Sequence, residues 1–416
     1  MASSHNSSYE LYCVNPLKPE IIFVPLLDTK LDSMLPPNIR SSFCKNNNGL
    51  DMHYLEAGYE NPNNPLIVLL HGFPELAFSW RHVILPLAKS GYHVVAPDQR
   101  GFGKTTGWDN TYTSDLSSFH HINLVRDVLG LVSSLGYKSV ECIVGHDSGS
   151  AVAGWSALIR PDIFKSVVMM SAPYTGVQEI LFDTVNNDNQ IVIDNNIKSH
   201  TVSIDDELSS LVRPRKHYHE YYRTAQANSD IMDSPYGLEA FIRGYYHYKS
   251  ADWSLNSPFP LKSFTASELE KMPTYYIMDL HDNMADTVAK EMPTDAESMN
   301  CEWLTDKEIE VYSEEYGRTG FQGGLNWYRA SVDPGNQRSL ELFSGVRIKI
   351  PSLFVAGKQD WGPQQKPGSL LRMRNDVSPT MKDMIFIDNA GHWVQQEQPE
   401  KVTSAILEFI SINVTD

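Results

Sequence analysis

The sequence predicts an α/β fold: a mostly parallel, doubly wound sheet interrupted by a long helical insertion. Three observations predict it. Short apolar runs recur along the chain, and each stops at a polar or glycine-containing turn. Segments with apolar residues at helical spacing separate them. One long block, residues 173–347, carries few strand signals and many aromatic and acidic residues. Continuous apolar runs are the mark of strands buried on both faces, which means a parallel sheet. Their alternation with helices gives the doubly wound arrangement.

The elements follow in order. Residues 1–45 are mixed in character and punctuated by proline, and they read as an arm on the surface. Residues 65–70 (PLIVLL) form a strand that ends at His71-Gly72, and residues 92–97 (YHVVAP) form the next, ending at Asp98. Residues 122–135 (INLVRDVLGLVSSL) have helical spacing, with Gly136 as the C-cap. Residues 139–144 (SVECIV) are the third strand and end at Gly145. Residues 151–159 are rich in small side chains and suit a helix packed close to the sheet. Residues 166–170 (SVVMM) are the fourth strand. Within the insertion, the polar run 183–196 (DTVNNDNQIVIDNN) reads as an exposed loop. Thr305 and Glu308 have the spacing of a capping box at a helix start. Residues 351–356 (PSLFVA) and 384–387 (MIFI) complete the sheet, and 400–410 is a terminal helix. The core is therefore expected in two pieces, 1–172 and 348–416, with 173–347 as a helical lid between them.

Composition narrows the function. The 416 residues carry a net charge of −17, with 41% apolar and 20% charged residues. Such a chain is globular, and its acidity excludes nucleic acid as the main partner. The N-terminal residues MASSHNSSYELYC lack a basic head followed by an apolar block, so no signal peptide is read there. No apolar run is long enough to span a membrane. The cytoplasm is the default location. The four cysteines, Cys13, Cys44, Cys142 and Cys301, are widely spaced and fit neither a zinc site nor a disulfide scaffold. His217 and His219 are two positions apart and would point to different helix faces, which makes them poor metal ligands. His120-His121 reads as the start of a surface helix.

In open α/β sheets the chemistry lies just beyond the strand ends. The third strand is followed by Gly145-His146-Asp147-Ser148-Gly149, a small–x–nucleophile–x–small pattern on a strand-to-helix turn. Its middle residue is Asp147, and a carboxylate can act as a covalent nucleophile. A Gly-x-Ser-x-Gly frame around Ser148 would need glycine at 146 and 150, where the chain has His146 and Ser150. The backbone N–H of Ser148 is expected to face a developing oxyanion, together with that of Phe73 in the loop after the first strand. The Phe73–Pro74 bond is a candidate for cis geometry. The last two strands end at Asp360 and just before His392, so the order Asp147, Asp360, His392 fits nucleophile, orienting acid and general base. His71 and His146 read as structural parts of their turns, and Asp98-Gln99-Arg100 as a tie between loops.

Taken together, the motifs HGFPE (71–75), DQRGFG (98–103), GHDSG (145–149), GKQD (357–360) and GHWVQQEQPE (391–400) resemble those of soluble epoxide hydrolases of the α/β-hydrolase superfamily, in order and spacing. They cover nearly the whole of the two core segments. The resemblance implies opening of an epoxide to a vicinal diol through an ester on Asp147, with His392 activating water and no metal or cofactor. It also implies two lid tyrosines that hold the epoxide oxygen. Residues 320–329 (GFQGGLNWYR) resemble the stretch that carries the second, which points to Tyr328; residues 216–222 (KHYHEYY) resemble the helix that carries the first, which favours Tyr218 with Tyr221 and Tyr222 as rivals. Trp327, Trp361 and Trp393, each beside one of these residues, are expected to line the substrate pocket. The implied partner is a small, largely apolar epoxide, and a homodimer is compatible with the resemblance.

The chain departs from the family pattern in two places. The family commonly has Trp after the nucleophile, where this chain has Ser148, and the insertion has extra material near 180–210 and 250–300. Dehalogenases that use the same aspartate attack are the alternative enzymes, but the Trp or Arg they usually carry after the nucleophile is absent. A serine esterase working through Ser148 is a weaker alternative. A ligand receptor reusing the hydrolase pocket is the non-enzymatic alternative, and it would not need the full set of catalytic residues present here.

Overall fold

The computed structural model describes residues 20–23, 29–177 and 203–413. Its strands, in chain order, are β1 (Glu20–Phe23), β2 (Arg40–Asn47), β3 (Leu50–Ala57), β4 (Leu66–Leu70), β5 (His93–Pro97), β6 (Cys142–His146), β7 (Val167–Met170), β8 (Arg215–His217), β9 (Ile277–Asp279), β10 (Ser352–Gly357) and β11 (Met381–Ile387). The main sheet has the order β1-β2-β3-β5-β4-β6-β7-β10-β11. From β5 to β11 all neighbours are parallel. β1, β2 and β3 are antiparallel, and β3 joins β5 antiparallel.

Period-two alternation sorts the strand residues onto two cores. In β4, Leu66, Val68 and Leu70 meet the helices His121–Ser134 and Ser148–Ile159, while Ile67 and Leu69 meet Arg81–Lys89 and Pro399–Asn413. Every residue of β4, β6 and β7 is buried, and each large aliphatic side chain buried this way stabilises the fold by about 1.5–3 kcal/mol. The predicted α/β class, with its two-sided sheet and helical insertion, is the fold observed.

Three boundaries differ from the sequence reading. Residues 20–23 and 40–45, both expected within a surface arm, belong to the sheet, the latter to β2. This strand buries Ser42, Cys44 and Asn47 on one side only, so it lacks the continuous apolar run that marks the parallel strands. β6 runs on to His146 rather than stopping at Val144, because Gly145 and His146 still pair with Met169 and Met170. β11 starts at Met381, before the apolar run at 384–387.

Between β7 and β10 the described insertion is largely helical, including Tyr218–Tyr222, Leu238–Lys249, Asp306–Thr319 and Gln322–Ser331. It also holds the small β8–β9 sheet, which the sequence reading missed because each strand has only three residues. The Thr305 N–H donates to Glu308 Oε2 at 2.7 Å, closing the expected capping box. The same Glu308 accepts from Arg81 Nε at 2.6 Å and so ties the insertion to the core. The 183–196 run and Cys13 lie outside the described residues. Cys142 is a free thiol in the core, pushed up to about 12 by burial. Among the described residues no helix is long and apolar enough to cross a membrane, and no group of His, Cys, Asp and Glu is set to hold a metal.

The topology fixes where the site can be. The chain passes from β4 to β5 on one side and returns to β6 on the other side of β4. That reversal opens a crevice beyond the carboxyl ends of β4 and β6, where the loops starting at His71 and Asp147 emerge.

Candidate active site

Asp147 stands on the turn between β6 and the helix Ser148–Ile159, with φ 51° and ψ −119°. A non-glycine residue with positive φ carries strain of about 1–3 kcal/mol and persists only where the surroundings enforce it. Here the enforcement is close backbone approach. A Cβ on Gly149 would lie 2.5 Å from the His71 carbonyl oxygen, and one on Gly72 would lie 2.4 Å from the Cβ of Asp147. Both positions must stay glycine for the β4 loop to pass the elbow.

The loop after β4 supplies a donor. The Phe73 N–H donates to Asp147 Oδ1 at 3.1 Å, and the Phe73–Pro74 bond is cis. Ser148 is the first residue of its helix, so its N–H belongs to the N-terminal donors that lack intrahelical acceptors.

The other carboxylate oxygen faces His392. His392 Nε2 lies 3.4 Å from Asp147 Oδ2, and His392 Nδ1 lies 3.1 Å from Asp360 Oδ1. Asp360 Oδ1 also accepts from the Gly362 N–H at 2.7 Å. Burial pushes the Asp360 carboxyl up, but the charge and hydrogen bond of His392 outweigh it and hold Asp360 below its usual range. Asp147 behaves alike: burial opposes its charge, while His392, Lys249 and His146 bring it far below an ordinary carboxyl. In the tautomer that donates Nδ1–H to Asp360, the lone pair lies at Nε2, on the side of Asp147.

Across the crevice stand two tyrosines of the insertion. Tyr218 opens the helix Tyr218–Tyr222, and Tyr328 lies on Gln322–Ser331. Their ring centroids are 6.0 Å apart. Burial, reinforced by the negative charge of Asp147, holds both phenols far above their ordinary range, so both keep their protons. The rivals are engaged elsewhere: Tyr221 OH donates to Asp230 Oδ2 at 3.0 Å and Tyr222 OH to Tyr245 OH at 3.1 Å. A cavity of about 250 Å³ is lined by Asp147, Ser148, Tyr218, Trp327 and Tyr328. Trp361 and Trp393 do not line it. Trp393 stacks on Tyr246 at 4.2 Å and donates its Nε1–H to the Tyr246 carbonyl, while Trp361 packs edge-on against Phe259.

The cavity wall also holds His121, His219, Gln365 and Lys366, which the sequence reading did not single out as site residues. His121 is a correction, since it starts its helix at the cavity and not on an open surface. Burial pushes His121 down to about 4 and His219 well below the ordinary imidazole range, so both are neutral near pH 7. His219 follows Tyr218 within the 216–222 stretch, so that motif could have marked it, whereas no local motif marks His121, Gln365 or Lys366. Ser148 Oγ is buried at the same wall with no hydrogen-bond partner among the described residues.

Behind the base lies a polar network. His146 Nδ1 is 2.6 Å from Glu75 Oε2, and Glu75 also accepts from the Gly72 N–H at 2.9 Å and from Gln395 and Gln396 at 2.7 and 3.1 Å. Asp98 accepts from the Ala77 and Lys104 N–H groups at 2.8 and 2.9 Å, and Arg100 grips Asp127 with two hydrogen bonds. These are the structural roles read for that segment.

Asp147, Asp360 and His392 thus meet beyond the carboxyl ends of β6, β10 and β11, with β7 lying between β6 and β10 in the sheet. A family model described as the alpha/beta hydrolase fold matches residues 65–399. The chain belongs to the α/β hydrolase fold family. This α/β hydrolase is 30% identical over 369 residues to epoxide hydrolase A of Mycobacterium tuberculosis, covering 88% of this chain and 95% of that one. Among solved structures it resembles epoxide hydrolase A from Mycobacterium thermoresistibile (28% identity, TM-score 0.66, 90% of this chain and 98% of that one). It also resembles potato (Solanum tuberosum) epoxide hydrolase I (27% identity, TM-score 0.64, 90% and 99%). The expectation of a hydrolase of this fold, from the epoxide hydrolase branch, stands for this α/β hydrolase.

Proposed function

We propose that the chain hydrolyses an epoxide to a vicinal diol through a covalent ester on Asp147. The observation that carries this reading is the opposition of the Asp147 carboxylate and the two protonated tyrosines, Tyr218 and Tyr328, across one cavity. An epoxide needs both at once: a nucleophile at carbon and acids at the departing oxygen.

In the first step Asp147 Oδ2 attacks an epoxide carbon. The C–O bond of the ring breaks, and the alkoxide takes a proton from a tyrosine O–H. The carbonyl oxygen of the new ester is Oδ1, which already accepts the Phe73 N–H; the Ser148 N–H is its second donor. In the second step His392 Nε2 removes a proton from water, which attacks the ester carbon. The tetrahedral oxyanion rests on the Phe73 and Ser148 N–H groups, and Asp360 stabilises the imidazolium. Collapse breaks the bond to the substrate oxygen, which takes the proton held by His392, and the acid proton of the regenerated Asp147 carboxyl returns to the tyrosinate, so the diol leaves with the carboxylate, the imidazole and the phenol restored. The tyrosines ride on the insertion 173–347, which acts as the lid, and Trp327 supplies an apolar wall. The substrate is a small, largely apolar epoxide, and no step calls for a metal or cofactor.

The test is diol formation from a panel of aryl and aliphatic epoxides by the wild-type protein and by Asp147→Ala. Diol from the wild type alone is expected. A folded wild-type protein that opens no epoxide in the panel would overturn the reading.

A further inference from the structure

The mechanism above leaves one buried cation without a task. Lys249 closes the helix Leu238–Lys249 and is 3% exposed. Its Nζ sits in a cage of aromatic rings, 4.9 Å from the centroid of Tyr276, 5.3 Å from Tyr245, 5.4 Å from Trp393 and 5.8 Å from Tyr275. Ring faces attract an ammonium and hold it without neutralising it. Among the described residues Lys249 has no carboxylate partner. The acids behind it are engaged: Glu397 accepts the Ala251, Gly391 and Trp393 N–H groups at 2.8, 2.9 and 3.0 Å, and Asp252 accepts from Trp303 Nε1 at 2.7 Å.

The cage touches both ends of the site. Tyr276 packs edge-on against Tyr218 at 5.1 Å, and Trp393 against His392 at 4.7 Å. The Lys249 carbonyl accepts the His392 N–H at 2.9 Å. The charge of Lys249 reaches Asp147, whose other titratable neighbours are His392, His146, His219, Tyr218, Tyr276 and Tyr328. A carboxylate taken out of water needs a counter-charge. A lysine bonded directly to Asp147 would provide one but would occupy the oxygen that must attack.

We propose that Lys249 is a positioning residue for the nucleophile: its ring-caged ammonium supplies, from a distance, the counter-charge that keeps the Asp147 carboxylate ionised and open for attack. The proposal rests on the reading of Asp147 as the nucleophile.

The experiment compares full-length wild type, Lys249→Met and Lys249→Arg on styrene oxide, with kcat/KM followed from about pH 4.5 to about pH 9 and ester formation followed in single turnovers. A nearby cation favours the charged form of a carboxyl. Its removal in Lys249→Met is expected to move the acid limb upward by about half to one pH unit and to slow ester formation on the order of 10-fold. Lys249→Arg keeps the charge and is expected to keep the wild-type limb. Equal losses in both variants with an unmoved limb would mean a packing role and overturn the proposal, leaving the Asp147 reading intact. No diol from the wild type would instead sink the Asp147 reading and this inference with it. If Lys249→Met does not fold, the charge is read on the wild type labelled with 13C-lysine, the Lys249 signal being assigned by its loss in Lys249→Arg. A protonated ammonium at the pH of maximal kcat/KM is expected, and a neutral amine there overturns the proposal.

Discussion

His146 Nε2 lies 2.7 Å from the backbone carbonyl oxygen of His392, so a side chain at the end of β6 fixes the main chain of a residue 246 positions away. His146 is in turn held by Glu75, and both side chains are fully buried. Burial opposes the charge on each. Their mutual charge and hydrogen bond outweigh it, holding Glu75 below its ordinary range and His146 above its own. The residue following His146 in the chain is Asp147, so one imidazole ties the strand that leads to Asp147 to the loop that carries His392.

The first prediction concerns that pair. The Glu75 contribution is fully present above its unfolded value of 4.5 and is lost as the pH falls through its lowered folded value. The His146 contribution is fully present below its unfolded value of 6.5 and is lost as the pH rises through its raised folded value. Both contribute fully between those two pH values. Glu75→Gln leaves a buried charge unpaired and is expected to cost about 3–5 kcal/mol in that window. The check is urea denaturation of both proteins at about pH 5.5 and about pH 10. An equal difference at the two pH values would contradict the assigned charges. His146→Ala is also expected to lower kcat about 10–100-fold, by analogy with the partners that orient metal-ligating histidines.

The second prediction separates the two half-reactions. His392→Gln removes the base but leaves Asp147 and the tyrosines in place. Ester formation should proceed and water attack should stall, with kcat falling about 10²–10⁴-fold. Intact-mass spectrometry after incubation with an epoxide should then find the protein heavier by one substrate. An unmodified mass, with the variant folded, would argue that attack and water activation are not divided between Asp147 and His392.

The third prediction distinguishes the tyrosines. Tyr218→Phe and Tyr328→Phe each remove an O–H facing the cavity, and each is expected to lower kcat about 10²–10³-fold with little effect on KM. Tyr221 and Tyr222 spend their hydroxyls on Asp230 and Tyr245. Their Phe variants should stay within a few-fold of wild type, since a lost hydrogen bond away from the reacting atoms costs stability and not ring opening, on the order of 1 kcal/mol. Comparable losses in all four variants would remove the distinction.

How much of this is legible in the sequence depends on how local each signal is. The parallel strands announce themselves because a strand buried on both faces must be apolar throughout, and the residues after them follow at once: Asp147 after β6 and Asp360 after β10. The antiparallel β2 is hidden because only one side is buried and that side holds Ser42 and Asn47. The wall formed by His121, His219, Gln365 and Lys366 is hidden for a different reason. They come from three segments, and of them only His219, beside Tyr218, has a neighbour that points to a cavity rather than solvent. The tryptophans show the limit of adjacency: Trp327, Trp361 and Trp393 each sit beside a site residue in sequence, yet only Trp327 reaches the cavity.

Ser148 provides the last prediction. It occupies the position where related enzymes commonly carry Trp, and its small side chain lies on the cavity wall beside Asp147 with Oγ unpartnered among the described residues. A larger side chain there projects into the cavity of about 250 Å³, while the backbone N–H that serves the oxyanion is unchanged. Ser148→Trp should therefore act on substrate size more than on chemistry. Small aliphatic epoxides should retain kcat within a few-fold, whereas bulky aryl epoxides should lose about 10-fold or more in kcat/KM through displacement from the near-attack geometry. The decisive measurement is the ratio of kcat/KM for a bulky and a small epoxide in the two proteins. An unchanged ratio would mean that Ser148 does not bound the space in which the substrate lies.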